Sequence, residues 1–202
     1  MKKSKAILMV VCAMLLVAAS VMGTLAYLTS QASVTNTFSV GKVAIKLDEA
    51  DVDEYGTILK DPDSMMPLPR VTKNEYKLIP GHTYTKDPTI HVQPKSENCW
   101  VFAKIENGLG AKATLKMNSE FTPLMVDNNH VDGVYYYKTV VYYSDDVTDL
   151  PVFSNFTFAN DANPKDYKDA QIVVTGYAIQ ADGFDTAEDA WKASGFGTTT
   201  TD

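Results

Sequence analysis

Residues 99–106, CWVFAKIE, alternate between two sets of side chains and predict a β-strand, because successive side chains of a strand lie on opposite faces. One face would carry Cys99, Val101, Ala103 and Ile105, and the other Trp100, Phe102, Lys104 and Glu106. Both faces contain apolar residues, and a strand covered on both faces is typical of the middle of a sheet. This segment is the strongest central strand that the sequence offers.

Further strands are predicted on both sides of this one by a period of two and by β-branched and aromatic residues. They are Val40–Leu47, Thr85–Gln93, Val134–Tyr143, Val152–Phe158 and Gln171–Ala181. Pro88 interrupts the second of them near its start, and Asp132-Gly133 predicts a hairpin turn. The apolar run Ile172–Val174 predicts a central position for the last strand. Asn107–Asn129 has a mixed pattern.

This succession of short strands and turns predicts an all-β fold of two antiparallel sheets packed face to face. Asp185–Glu188 has the pattern of a capping box, so one short helix is predicted at Thr186–Ala193, with Trp191 fixing it to the sheets. Asp48–Tyr76 is acidic and rich in proline, which predicts a long loop. The threonine-rich residues 196–202 are expected to form a disordered tail.

The N-terminus has the pattern of an export signal. Met1–Lys5 contains three lysines, an uncharged apolar run follows over Ala6–Met22, and small residues lie in Gly23–Ala26. This order of regions is typical of a secretory signal peptide. We expect a signal peptidase to cut between Ala26 and Tyr27, which leaves residues 27–195 as the mature domain. The alternative is a retained anchor, because the apolar run is close to the roughly 17 residues that span a bilayer.

The expected mature chain is acidic. The whole chain has 18 basic and 25 acidic residues, and three of the basic residues belong to the signal. The mature chain would therefore carry a net charge of −10, which argues against nucleic acid and anionic lipid as partners. Membrane contact would come only through the uncleaved signal. Cys12 would be removed with the signal, so Cys99 would be buried without a disulfide partner.

Three blocks of sequence, at the start, middle and end of the chain, carry a family resemblance. They are GTLAYLTSQASVTNTFSVGKVAIKLDE at residues 23–49, PGHTYTKDP at residues 80–88 and VTGYAIQADGF at residues 174–184. In this order they resemble the TasA/camelysin family, secreted Gram-positive proteins processed by a dedicated signal peptidase. The resemblance implies a jelly-roll-like sandwich and matrix fibres that grow by head-to-tail strand exchange. It also raises metallopeptidase activity, because camelysin-type members are classed as such enzymes.

The sequence offers no motif that would carry catalysis. A zinc peptidase needs ligands such as those of HExxH, where two histidines share one face of a helix, and this motif is absent from the sequence. The chain's histidines, His82, His91 and His130, fall in a turn, on the outward face of a strand and in a polar loop. We therefore assign no catalytic residue, cofactor ligand or metal ligand.

A structural calcium ion is the ion that the composition favours. Acidic loops at Asp48–Glu54, Asp127–Asp132 and Asp145–Asp149 offer many carboxylate oxygens, although none has the spacing of an EF-hand. The alternative is that these loops are only solvated.

The first residues of the mature chain, Tyr27–Ser39, are suited to pairing with another molecule. The segment has no proline and many β-branched or aromatic residues. An exposed sheet edge presents unpaired N–H and C=O groups, so an extended segment can add to it as a strand. We expect Leu28, Val34 and Phe38 to fill pockets and Gly41 to act as a hinge. Residues 27–41 are thus a candidate donor strand; the alternative is that they form the domain's own first strand.

The sequence and the resemblance together predict a secreted structural subunit of biofilm matrix or surface fibres without catalytic activity. Its partners would be further copies of itself and an accessory matrix protein. One alternative is a camelysin-like secreted metalloprotease that depends on His82, His91 or His130. Another is a monomeric adhesin-type module that binds through the Asp48–Tyr76 loop and the aromatic surface of Val134–Tyr143.

Overall fold

The computed structural model describes residues 42–196, which form ten β-strands and one α-helix. The strands are β1 (Ile45–Asp48), β2 (Thr83–Thr85), β3 (Thr89–Val92), β4 (Cys99–Asn107), β5 (Ala113–Met117), β6 (Phe121–Val126), β7 (Asn129–Tyr137), β8 (Thr148–Pro151), β9 (Phe153–Phe158) and β10 (Ile172–Gln180). The helix α1 is Ala187–Ser194, and short 3-10 turns lie at Gly110–Lys112 and Pro164–Tyr167. The predicted all-β class with one short helix is confirmed.

Within residues 42–196, all strand pairs are antiparallel and form three hydrogen-bonded sheets. Sheet 1 has the order β1-β3-β8, sheet 2 the order β10-β4-β7-β6 and sheet 3 the order β2-β9-β5. The predicted position of β4 inside a sheet is confirmed, because β10 and β7 pair with its two edges.

Sheets 1 and 3 continue one another across a short interruption. Thr89 pairs with Pro151 in sheet 1 and Thr85 with Asn155 in sheet 3, which is the same register. Between them, the Val152 N–H donates to the Pro88 carbonyl at 2.8 Å. Proline has no N–H for the ladder, so the predicted interruption of this strand at Pro88 is confirmed.

The two faces of β4 fill two different hydrophobic cores. Val101 and Ala103 are fully buried in core 1, which also contains Ile90 of β3 and Phe153 of β9. Core 1 thus joins sheet 2 to the layer made by sheets 1 and 3. A third core, around Tyr84 of β2, lies on the far side of sheet 3. The predicted alternation of β4 is confirmed.

Helix α1 covers the other face of sheet 2 and forms core 2. Trp100 and Phe102 of β4 are buried there, and the ring of Trp191 lies 5.1 Å from that of Phe102. Trp191 therefore fixes the helix to the sheet as predicted. The helix begins one residue later than predicted, because Thr186 is its N-cap and its Oγ1 accepts from the Asp189 N–H at 3.1 Å.

The predicted hairpin turn at Asp132-Gly133 is wrong. The turn lies at Asp127 and Asn128, which both have positive φ angles of 49° and 63°, and β7 runs straight through residues 132–133. Two successive residues with positive φ match the twist of a two-residue hairpin. Gly133 instead lies at a register shift in β7, opposite the shift between Pro123 and Met125 of β6.

Several predicted strand limits also need correction. Of the predicted strand Val40–Leu47, residues 42–44 are not in a strand and β1 begins at Ile45. Strand β7 ends at Tyr137, and Val141 beyond it forms an isolated bridge to Cys99. The mixed region Asn107–Asn129 contains β5 and β6. Within residues 42–196, β10 pairs only with β4 and lies at an edge of sheet 2, so the described chain places no strand on its other side, as the predicted central position would require.

Gly133 gives a stability prediction with a matched control. Its φ is +66°, and a Cβ there would lie 2.5 Å from the Ile105 carbonyl oxygen, whereas Gly110 has a φ of +55° and open space around it. Both alanine variants face the left-handed penalty of about 1–2 kcal/mol, but only Gly133→Ala adds a backbone clash. We expect urea unfolding to show a loss of about 3 kcal/mol for Gly133→Ala and about 1 kcal/mol for Gly110→Ala. Equal losses would contradict the packing of β7 on β4.

Candidate functional site

The described residues leave core 1 open on the side where β1 and β10 lie. Each of these strands is the edge of its sheet within residues 42–196. The two sheets meet closely at Gly176 of β10, where a Cβ would lie 3.2 Å from Ile90 Cγ1 and 3.5 Å from Ile45 Cδ1. We name this side the β1–β10 edge. Its apolar residues are Ile45, Leu47, Ile172, Val174 and Ala178.

The inward side chains of the β1–β10 edge are only partly buried. Val101 and Ala103 of the neighbouring β4 are fully buried, whereas Ile172, Val174 and Ala178 of β10 remain partly exposed. The apolar interior is therefore accessible from this side within the described chain. An accessible apolar seam along a sheet edge is the kind of surface that a further strand can cover.

Within residues 42–196, the backbone of β10 forms ladder hydrogen bonds on only one of its two sides. The Gly108 N–H donates to the Gln171 carbonyl and the Ala181 N–H to the Asn98 carbonyl, which continues the β4–β10 ladder at both ends. In an antiparallel ladder alternate residues exchange these bonds, so the odd-numbered residues of β10 bond to β4. The N–H and C=O groups of Val174, Gly176 and the other even-numbered residues point away from β4, toward the open edge.

On the outer face of sheet 1, a cluster of charged residues holds β1 to its neighbouring strands. Asp48 ends β1 with a side chain that is 4% exposed, and it accepts hydrogen bonds from Lys46, Arg70 and His91. The other ring nitrogen of His91, Nδ1, lies 2.6 Å from Asp149 Oδ1 on β8. Both ring nitrogens of His91 thus lie within hydrogen-bond distance of a carboxylate, one on β1 and one on β8. The cluster therefore ties β1, β3 and β8 together.

The same cluster anchors the long loop that follows β1. Arg70 of that loop also bonds Asp87 and Thr89, with Nη1 2.9 Å from Asp87 Oδ2 and Nη2 2.9 Å from Thr89 Oγ1. The neighbouring pair Lys86 and Glu49 is nearly buried, at 2.6 Å. Within residues 42–196 every buried side-chain N and O atom has a hydrogen-bond partner. The predicted loop is thus fixed at its base.

The electrostatics of Asp48 follow from this arrangement. Burial alone would raise the pKa of Asp48, but hydrogen bonds from Lys46, Arg70 and His91 outweigh it and hold the pKa well below its usual range. The carboxylate therefore stays ionised at neutral pH. Its role is structural, because all of its cationic neighbours belong to the same fold.

The histidines fall at three separate places in the fold. His82 precedes β2, where its Nε2 lies 2.9 Å from the Tyr55 carbonyl oxygen and its ring packs edge-on against Tyr84. His91 lies in β3 on the outward face, as predicted, but is held between two carboxylates. His130 is in β7 and not in a loop.

The acidic loops proposed for calcium use several of their carboxylates within the protein. Asp48 belongs to the cluster described above, Asp127 accepts from Lys192 at 2.7 Å and Asp145 accepts from Tyr143 at 3.2 Å. The described part of the chain contains no group of three His, Cys, Asp or Glu residues that could hold a metal ion. The calcium ion stays a prediction. Cys99 is buried in core 1, and burial raises the pKa of its thiol to about 11.

The residues predicted for cleavage and strand donation lie outside the described residues. They are Ala26, Tyr27, Leu28, Val34, Phe38 and Gly41. Both roles stay predictions. Among residues 42–196, no helix has the length and apolar character needed to cross a bilayer.

No protein-family model, no curated protein and no solved structure matches this chain. The site is therefore defined by the contacts among the residues of this chain. The sequence did not reveal the β1–β10 edge or the cluster around Asp48. One signal for the cluster was present in the sequence. Lys46 and His91 are polar residues at outward positions of two predicted strands, and they pair with each other across β1 and β3.

Replacing Asp48 tests the charged cluster. Asp48→Asn should lower the free energy of unfolding by about 3 kcal/mol, because it leaves a partly buried Arg70 and His91 without their shared anion. Glu75→Gln, which breaks the exposed pair with Lys73, should have no measurable effect. Urea unfolding of the three proteins at neutral pH makes the comparison.

The contribution of Asp48 to the free energy of unfolding should depend on pH with a defined sign. The pKa of Asp48 is lower in the folded protein than the roughly 3.9 of the unfolded chain, so its stabilisation is complete above that value and is lost as pH falls below it. The difference between wild type and Asp48→Asn should be constant near pH 5 and should shrink toward pH 2. A difference that grew on acidification would contradict the role of Asp48.

Proposed function

We propose that the protein is a secreted structural subunit of extracellular matrix or surface fibres, in which residues 27–41 of one copy add as a strand to the next. The observation that supports this proposal is the β1–β10 edge, where core 1 is partly exposed and the backbone of β10 has a free side within the described chain. The acceptor in this proposal is the open side of β10.

The N-terminal segment is chemically matched to that edge. Tyr27–Ser39 has no charged residue and no proline, so it can enter an apolar seam and bond along its full length. Leu28, Val34 and Phe38 are separated by even numbers of residues, so an extended strand would carry all three on one face. Thirteen extended residues reach about 43 Å, which exceeds the roughly 30 Å of nine-residue β10.

Strand donation between copies produces a polymer. The donor lies N-terminal to the domain, and the acceptor is the open side of β10. The contact therefore joins two different surfaces, so it extends from copy to copy without closing. Before cleavage the donor would be tethered to the signal, so assembly would follow the action of the signal peptidase. A jelly-roll-like sandwich, a signal-peptide helix and an accessory matrix protein belong to the same proposal. Its further support is the sequence resemblance to TasA/camelysin proteins.

The first test compares chains that begin at Tyr27 and at Gly41, by electron microscopy and light scattering. We expect filaments from the first and monomers from the second, because only the first carries the donor. If both stay monomeric and the longer chain is the more stable to urea, residues 27–40 complete their own domain and strand exchange is wrong.

The second test blocks the acceptor without changing the donor. The Ala178 N–H points to the open side of β10, so Ala178→Pro removes one donor from the open edge and leaves the ladder with β4 intact. Ala178→Val is the matched control, since it adds similar volume and keeps the N–H. We expect filaments from the valine variant and far fewer from the proline variant, with circular dichroism confirming that both are folded. Equal filament yields would exclude β10 as the acceptor.

A further inference from the structure

Strand β10 defines a direction along the domain. Strand β4 runs from Cys99 to Asn107, and β10 returns beside it from Ile172, which pairs with Asn107, to Gln180, which pairs with Cys99. We call the end of the domain at Cys99 and Gln180 the upper end, and the end at Asn107 and Ile172 the lower end. Strand β10 therefore runs upward.

Strand β1 runs in the opposite direction, downward. It packs across core 1 from β10, with Ile45 against Gly176 in the middle of that strand. Leu47, two residues later, borders the same groove as Ile172 and Val174, which belong to the lower half of β10. The chain therefore passes from the upper end toward the lower end as it goes through β1.

The residues that precede β1 are held at the upper end. The Glu97 N–H donates to the Lys42 carbonyl oxygen at 3.1 Å. The buried Ser96 places its Oγ 3.2 Å from both the N and the O atom of Ala44. Ser96 and Glu97 belong to the turn that leads from β3 into Cys99, so these contacts fix residues 42–44 beside that turn. The chain thus enters the described domain from its upper end.

This direction of entry gives each mode of strand pairing a different polarity. A donor strand that reached a copy stacked above in the same orientation would run downward, antiparallel to the β10 of that copy. A segment that folded back at Gly41 onto its own β10 would run upward, parallel to it. Exchange between two copies related by a twofold axis across the strands would also be parallel, and it would close a dimer. The polarity of the donor therefore reports which contact forms.

The antiparallel arrangement is the one that the rest of the sheet favours. Every strand pair within residues 42–196 is antiparallel. Parallel pairs are slightly less stable per residue, and sheets of a single type are more common than chance would give. An antiparallel donor would extend sheet 2 with the same hydrogen-bond pattern that joins β10 to β4.

The length of the segment also suits a stacked copy. Strand β10 has nine residues, whereas Tyr27–Ser39 has thirteen. Nine donor residues could therefore pair along the whole of β10, which leaves four residues together with Val40 and Gly41 as a connection. Six extended residues reach about 20 Å, which is enough to join two domains that stack end to end.

We propose that residues 27–39 of one copy bind antiparallel to β10 of a second copy, which stacks in the same orientation on the upper end of the first. Tyr27 would lie toward Gln180 of the second copy, and Ser39 toward its Ile172. The upper end of each copy would then face the lower end of the next, so all copies of a fibre would point the same way. This inference rests on the strand exchange of the proposed function and adds the orientation of the partner.

The test measures the polarity by chemical cross-linking in chains that begin at Tyr27. Donor chains carry Ser30→Cys or Ser39→Cys, and acceptor chains carry Val173→Cys or Gln180→Cys at exposed positions of β10. The two acceptor positions lie about 23 Å apart along the strand, too far for one short bismaleimide to reach both from one donor residue. A donor chain is mixed with an acceptor chain in equal amounts, so a link between the two introduced cysteines can form only between copies.

We expect Ser30→Cys to link more to position 180 than Ser39→Cys does, and Ser39→Cys to link more to position 173. Mass spectrometry of the linked peptides measures the four yields. Cys99 is buried and stays in place. Electron microscopy of each single variant is the control for assembly, and Thr29→Cys with Thr37→Cys repeats the comparison if a serine position proves sensitive.

The outcomes separate this inference from the proposed function. Filaments with the reverse order of yields, or with equal yields at both acceptor positions, would overturn the antiparallel orientation and leave a fibre subunit intact. Discrete dimers with the reverse order would show closed strand exchange and overturn both. If every chain stays monomeric, both are wrong. An internal link in a monomer that carries Ser30→Cys together with Val173→Cys would then show that the segment folds back in parallel on its own β10.

Discussion

The burial of β4 on both faces is the constraint on which the other elements depend. Its small apolar residues, such as Val101 and Ala103, let sheets 1 and 3 approach closely across core 1. Its large rings, Trp100 and Phe102, require a cover on the opposite side, and α1 supplies it. Residues 99–103 of β4 are buried on both faces and offer no exposed side chain for recognition. Recognition is therefore left to elements at the margin of the sheet, of which β10 is the longest.

The β1–β10 edge differs from an ordinary solvent-facing sheet edge in the residues that line it. Proteins commonly protect an edge with charge or proline, whereas the inward residues of β10 are apolar and partly exposed. The charged residues lie instead on the outer face of sheet 1, where Asp48 and its partners keep β1 attached to β3. Buried ion pairs add little net stability but fix a unique arrangement when every member is satisfied. The cluster thus allows the short strand β1 to stay ordered beside a seam that the described residues leave open.

The sequence was sufficient where a local pattern decides the structure. The alternation of β4, the break at Pro88 and the anchoring of α1 by Trp191 all depend on neighbours in the chain. The sequence was insufficient where contacts between residues that are distant in the chain decide the structure. The apolar run Ile172–Val174 predicts a central strand, yet within residues 42–196 β10 pairs on one side only. Apolar side chains report burial of the two faces of a strand and not pairing of its two backbone edges. The Asp48 cluster unites residues up to about one hundred positions apart, so no local pattern could have assembled it.

The proposed donor strand has a physical weakness of its own. It would bond through backbone groups that are alike at every position, and Tyr27–Ser39 is rich in serine and threonine, so the backbone and the polar positions specify its register on β10 weakly. The side chains that enter the seam would have to supply the register, because Leu28, Val34 and Phe38 would lie on one face of an extended strand. A slip by one residue would turn all three away from core 1, whereas a slip by two residues, about 7 Å, would keep them on the same face. The register would therefore depend on how well these three side chains fit the partly exposed apolar residues of the β1–β10 edge.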